Sequence, residues 1–352
     1  MELGLYSFGD VLHDPTPGAP GRRLDALVRQ ARQADAAGVD LFALGEHHRP
    51  DFSISAPEIV LANIAATTHR IHLTTAVTVL STTDPVRVIE QFNTLDLLSH
   101  GRAEITVGRG AFPESFPLFG YDLTDYEALF DEKLRLLIQL RDDPTQNWQG
   151  HFRPPLQDVY IGPRPQQERV PIWIGVGGTP QSVVRAAVLG QPMFLSLFTG
   201  ASGGIRLVEL YRRAAESVGG DPGGLPLATG GHMFIGRTSQ EAREEFFGYF
   251  ARYFSVHPSF PNGMPRAVYD QWVAAGLLVG SPQQVTEGIL SHHELLGSDR
   301  FVGQFDPGVP AEVADRSLDL FLSEVLPAVH AATDAEEQTA TDAGEQTTVT
   351  AP

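Results

Sequence analysis

Cysteine is absent from the 352 residues. That excludes disulfides, thiolate zinc sites, iron–sulfur clusters and cysteine nucleophiles, and it fits a reducing, cytoplasmic setting. Lysine is nearly absent too. Lys133 is the only one, and the other Lys/Arg positions are all arginine. A P-loop needs a lysine after its glycines. Kinases, pyridoxal enzymes and Schiff-base aldolases need a placed one. Lys133 lies in Asp131-Glu132-Lys133-Leu134-Arg135, which reads as a charged helix surface, so these classes drop out. No apolar run approaches the length of a membrane span. Met1–Phe8 has neither the basic region nor the long apolar stretch of a signal peptide. Positive charge is scarce as well: Lys plus Arg is 25 against 43 Asp plus Glu, a net charge of −18. Nucleic acid and anionic membrane both call for a basic face, so neither is an expected partner.

What is present alternates. Short apolar runs at Leu3–Phe8, Leu41–Leu44, Ile71–Leu80, Ala103–Val107, Pro171–Gly175, Met193–Leu197, Leu227–Ile235 and Arg300–Gln304 read as strands. Between and after them, helical spacing appears at Leu24–Ala37, Pro57–Thr67, Pro85–Leu98, Thr124–Arg141, Thr179–Leu189, Ile205–Val218, Gln240–Phe254, Pro282–Leu296 and Glu312–Val329. Irregular segments are expected at Asp142–Val170 and Ser255–Gly276. Eight strands alternating with about eight helices predict a parallel α/β sheet, closed as a (β/α)8 TIM barrel with insertions. A doubly wound open sheet is the alternative. The barrel is expected over 1–331. The stretch 332–352 holds a near-repeat, Thr333–Thr339 echoed by Thr341–Thr347, with five acids and no base. It is expected to be a disordered acidic tail.

In a barrel, chemistry gathers at the C-terminal ends of the strands. Those ends carry Glu46-His47-His48, Ser81–Asp84, Gly108-Arg109-Gly110, Gly177-Gly178-Thr179 and Ser196. Gly177–Thr179 lies between a strand and a helix start, where backbone N–H groups and the helix N-terminus suit a phosphate. A plain tight turn fits it equally. Arg109, between two glycines, suits phosphate oxygens or an ordinary carboxylate. His47 and His48 are adjacent on an extended segment and point to opposite sides, so they converge poorly on one metal, and no metal site is expected. One of them facing the mouth suits proton transfer. His292-His293-Glu294 reads as solvent-facing helix. Gly200-Ala201-Ser202-Gly203-Gly204 fits G-x-S-x-G, but the intervening Leu197-Phe198-Thr199 and the loose glycines do not make a nucleophile elbow.

Five motifs in order, Ala43–His48, Thr78–Arg87, Leu95–Arg102, Gly108–Gly110 and Pro171–Pro180, resemble the bacterial-luciferase-like flavin monooxygenase family over roughly Leu3 to Val329. The resemblance implies a (β/α)8 barrel that takes reduced FMN from a separate NAD(P)H-dependent flavin reductase. It implies that O2 adds at the flavin C4a and that the resulting peroxide oxidises a small or medium organic substrate. It matches His47 to the active-site histidine, with Glu46 orienting it, and Arg109 to the flavin phosphate. It matches Gly177, Gly178 and Thr179 to the phosphate loop. Ala76-Val77 stands where the family often has a non-prolyl cis peptide under the isoalloxazine, and Ser196 is a further cofactor-binding candidate. A homodimer through barrel helices is implied. The family's F420 branch leaves an F420-dependent reductase or dehydrogenase as an alternative, and a non-catalytic flavin-binding paralogue as another. Gly108 stands where luciferase has a reactive cysteine, and Phe112 where it has a tyrosine. Light emission is therefore not expected.

Overall fold

The computed structural model describes residues 1–110 and 112–335. The first half runs β1 (Glu2–Ser7), α1 (Ala19–Ala37), β2 (Leu41–Leu44), α2 (Pro57–Ala65), β3 (His72–Thr75), β4 (Thr78–Val79), α3 (Pro85–Ser99) and β5 (Ile105–Gly108). A short α4 (Ser115–Leu118) and α5 (Tyr126–Asp142) precede a hairpin, β6 (Thr145–Trp148) and β7 (Leu156–Tyr160). The second half runs β8 (Ile172–Val176), α6 (Pro180–Val188), β9 (Met193–Ser196), α7 (Ile205–Ser217), β10 (Leu227–Ile235) and α8 (Ser239–Tyr253). It ends with α9 (Arg266–Ala274), β11 (Leu278–Gly280), α10 (Pro282–Leu296), β12 (Arg300–Gln304) and α11 (Ala311–Leu320).

The main sheet runs β3-β2-β1-β12-β10-β9-β8-β5-β4, all parallel, with β11 added beside β10. Its two ends, β3 and β4, are halves of one expected strand, 71–80. A parallel bridge between Leu73 and Ala103 joins β3 to the chain entering β5. Leu73 N donates to Arg102 O and Glu104 N to Leu73 O, both at 2.9 Å, and the ring closes as a (β/α)8 barrel. The strands are buried on both faces, as expected where helices wrap a parallel sheet. Helix starts follow local chemistry. Asp84 accepts the Val86 N–H ahead of Pro85 at the first turn of α3, and Ser281 caps α10 in the same way.

Five expectations need correction. The strand 71–80 is interrupted at Ala76–Val77, whose peptide bond is cis. The irregular segments hold the β6–β7 hairpin and α9. Lys133 is not on a charged surface. It is 2% exposed, donates to Ser81 O at 2.7 Å and lies 3.9 Å from the centre of the Tyr121 ring. His292 does not face solvent. It is buried, and its Nδ1 lies 2.9 Å from the Thr229 hydroxyl. At the C-terminus the helix continues through 335. Thr333, expected in the tail, is buried and receives a hydrogen bond from the Met1 amino group. The rest of the expected tail, 336–352, lies outside the described residues. Among the described residues no helix is long and apolar enough to cross a membrane.

Candidate active site at the barrel mouth

The floor of the mouth is built from glycines around one side chain. A Cβ at Gly108 would sit 2.5 Å from Val77 Cγ2, and one at Gly175 would sit 2.6 Å from Val77 Cγ1. Val77 fills the space those two positions leave, and a larger residue at 108 would expel it. Across the ring, the Tyr6 hydroxyl bonds Ser196, and burial pushes its pKa upward against that bond. Ser196 is thus held at the rim on β9, one strand removed from β5.

His47 stands beside this floor, 8% exposed, with its amide donating to Ile54 O at 2.9 Å. Three rings enclose its imidazole: Phe8, Phe52 and Phe112, with centroids at 4.7, 4.3 and 5.3 Å. Its Nε2 is buried and, among the described residues, has no hydrogen-bond partner. Burial, helped by nearby His48 and Arg49, pushes the pKa down to about 3, so the ring is neutral at pH 7. Phe112 is held in place by Arg49, whose guanidinium lies 4.8 Å from the Phe112 ring centre and pairs with Glu114. Glu46 does not touch His47. Its Oε1 lies 2.7 Å from His48 Nε2, and its Oε2 accepts the Val79 N–H at 2.7 Å. The carboxylate therefore fixes His48 and the start of the β4–α3 connection. The two histidines point apart, His48 lying against Phe119.

The anion-binding candidates converge. Arg109 Nη2 donates to the Thr179 hydroxyl at 3.1 Å and to the Ser182 hydroxyl at 3.0 Å, and those two hydroxyls are 2.8 Å apart. The guanidinium also rests over the Tyr126 ring at 5.0 Å and pairs with Glu127. Gly178 adopts φ +101°, a conformation that favours glycine, and nothing lies within 4 Å of a Cβ built at Gly177 or Gly178. The loop backbone is open just where α6 begins. An arginine, two hydroxyls and a helix N-terminus meeting at an exposed glycine turn form a set of donors suited to a phosphate group.

The family model for luciferase-like monooxygenases matches residues 1–299. The chain belongs to that family. The alkanal monooxygenase alpha chain of Photorhabdus luminescens is 26% identical over 332 residues, covering 86% of this chain and 90% of that protein. The monooxygenase RslO1 from Streptomyces bottropensis superposes with a TM-score of 0.82 at 25% identity, covering 93% and 99% of the two chains. Two further likenesses concern the fold. The oxygenating constituent of 3,6-diketocamphane monooxygenase from Pseudomonas putida, in complex with FMN, gives 0.74 at 20% identity, covering 93% and 98%. An F420-dependent secondary alcohol dehydrogenase, in complex with an F420-acetone adduct, gives 0.73 at 18%, again covering 93% and 98%.

Within this luciferase-like monooxygenase, several mouth residues escaped the sequence reading. Ser182 completes the anion set from the first turn of α6. Phe8 and Phe52 wall His47. His232, on β10, is a second buried histidine at the mouth, and Gln304 on β12 is its partner. Ser202 sits exposed on a 3-10 turn, and among the described residues no hydrogen bond ties it to a histidine.

Proposed function

We propose that this luciferase-like monooxygenase binds reduced FMN across the mouth and uses O2 to oxidise a small or medium organic substrate. The observation that carries this reading is the meeting of Arg109, Thr179 and Ser182 at the open Gly177–Gly178 turn, on the same face as the neutral His47. Arg109 and the two hydroxyls would hold the flavin phosphate. The Ala76–Val77 segment and Ser196 would support the ring system. Bound reduced flavin supplies the electrons that activate O2. The chain's own residues do the rest. Phe8, Phe52 and Phe112 exclude water from the reacting face. His47 Nε2, bare and neutral, offers a hydrogen-bond acceptor there and assists proton transfer at the flavin or substrate. Glu46 keeps the segment in place through His48 and the Val79 amide. A separate flavin reductase would supply the reduced FMN, and the chain would act as a homodimer in the cytoplasm.

The F420-dependent alternative calls for a mouth that attracts a polyanionic tail, and the net charge of −18 favours FMN. Arg109→Ala tests the phosphate assignment by fluorescence titration with FMN. The account expects affinity to fall on the order of 10- to 100-fold, as the loss of charge-assisted hydrogen bonds implies. Unchanged affinity would remove the assignment.

A further inference from the structure

His232 projects into the same mouth from the side opposite His47. Its strand β10 pairs Gly230 with Ser196 of β9 and His232 with Gln304 of β12, and Gln304 pairs in turn with Tyr6 of β1. The imidazole is 5% exposed. Its Nδ1 lies 2.5 Å from Gln304 Oε1, and Gln304 Nε2 donates to the Tyr253 hydroxyl at 3.2 Å. A carbonyl oxygen can only accept, so Nδ1 carries the proton and Nε2 keeps its lone pair. That Nε2 is buried and has no partner among the described residues. Its surroundings are rings: Phe198, Phe250, Tyr253 and Phe254, with centroids between 5.1 and 5.7 Å.

A buried acceptor without a donor is costly in a native fold and calls for an explanation. Burial pushes the His232 pKa down to about 4, against a raising contribution from Gln304, so the ring offers no positive charge to a carboxylate or phosphate. What it offers is one lone pair set in an aromatic wall. The complementary ligand is a neutral O–H on a flat apolar body. Phe198 is the most exposed part of the wall. It is 46% exposed, sits on the turn after β9, and leans on Trp272 at 5.5 Å as well as on His232.

We propose that His232 is a specificity-determining residue that takes a phenolic hydroxyl of the substrate on Nε2, with Phe198 swinging aside to admit the aromatic ring. The proposal rests on the monooxygenase reading above and narrows its substrate to hydroxylated aromatics. Gln304 and Tyr253 act as positioning residues that keep the proton on Nδ1.

The test uses the full chain and a matched pair of probes, 4-ethylphenol and 4-ethylanisole, which differ in the hydrogen on oxygen and a methyl group. Isothermal titration is expected to give at least tenfold tighter binding of the phenol, since a site built around a hydrogen bond rejects the analogue lacking it. In the ¹⁵N-histidine spectrum, the His232 Nε2 resonance is expected to move with the phenol and stay with the anisole. His232→Phe should erase the preference, and His232→Gln, which keeps an acceptor, should restore part of it. Equal binding of the two probes, no binding of either, or a preference that survives His232→Phe would overturn the proposal. Reduced FMN, titrated anaerobically into the same preparations, separates the two readings. FMN binding without a phenol preference removes the His232 assignment alone, whereas absence of FMN binding removes the cofactor reading.

Discussion

Where the barrel strands begin, Arg300 and Glu104 are both buried, and every charged atom they carry is used. Arg300 donates to both Glu104 oxygens at 2.7 and 3.0 Å and to Glu2 at 2.6 Å, and Glu104 also lies 3.1 Å from His72 Nδ1. The guanidinium covers the Trp173 ring at 4.7 Å. Where the strands end, His47 and His232 are equally buried, yet each leaves Nε2 without a partner among the described residues, inside a wall of rings. The two ends share one barrel and one degree of burial. Closed polar networks fix a structure, because removing any member strands the others. Open polar atoms in an apolar wall await a partner that arrives from outside. The proposed binding and chemistry lie at the mouth, while the Arg300–Glu104 network helps hold the ring together at the base, where Trp173 Nε1 is also left open.

The largest effect belongs to the base. Glu104→Gln leaves Arg300 without its buried counter-charge and should cost about 3–5 kcal/mol of stability, read by denaturant unfolding. FMN affinity measured on the folded fraction should stay unchanged. A comparable loss of flavin binding would break the division between the ends. At the mouth the pattern reverses. His47→Ala should lower turnover on the order of 10²–10⁴-fold, the range for losing a positioned acid–base group. It should leave stability and FMN affinity near those of the parent chain. Unchanged turnover would remove the proton-transfer role.

Acid should destabilise the fold in two stages. His47, His232 and His292 are held neutral, with pKa values near 3, 4 and 4 against an ordinary 6.5. Below pH 6.5 the unfolded chain takes up protons that the folded chain refuses, so stability falls as pH drops from 6.5 toward 4. Burial alone would raise the Glu104 pKa, but the His72 and Arg300 contacts outweigh it and bring it down to about 2. Its contribution is whole above about 4.5 and fades as pH falls toward 2. His232→Gln should flatten the first decline and spare the second. A single transition insensitive to that substitution would contradict the assignment. The smallest effect concerns Glu127, a largely exposed carboxylate that pairs with both Arg109 and Arg185. Glu127→Gln frees Arg109 and should tighten FMN by about two- to fivefold, the scale of a surface ion pair. Weaker binding in that variant would mean that Glu127 supports the site rather than competing for its arginine.

The barrel was legible because parallel strands sheathed by helices produce buried runs of regular length, and because caps such as Asp84-Pro85 mark helix starts. The break at Ala76–Val77 was not legible from pattern. The β-branched run from Ile71 to Leu80 looks continuous, and only the family resemblance pointed to that bond. Lys133 was misplaced by its charged neighbours. Its spacing from Phe130, Leu134 and Leu137 puts it on the buried face of α5, and that periodicity was available to read. His292 falls in line with Val285, Ile289 and Leu296 for the same reason. The anion site was half legible. Gly177–Thr179 and Arg109 stand at strand ends, whereas Ser182 is one more polar residue in a first helical turn. His232 was hidden because every residue of β10 is buried, so alternation cannot separate the inward face from the outward one.

The central claim is that the mouth is a reduced-FMN site. It is tested most directly by anaerobic titration of the purified chain with reduced FMN and, in parallel, with reduced F420, followed by absorbance and fluorescence. The account predicts saturable binding of reduced FMN, weakened in Arg109→Ala, and much weaker binding of F420. Preference for F420, or no binding of either, would contradict it.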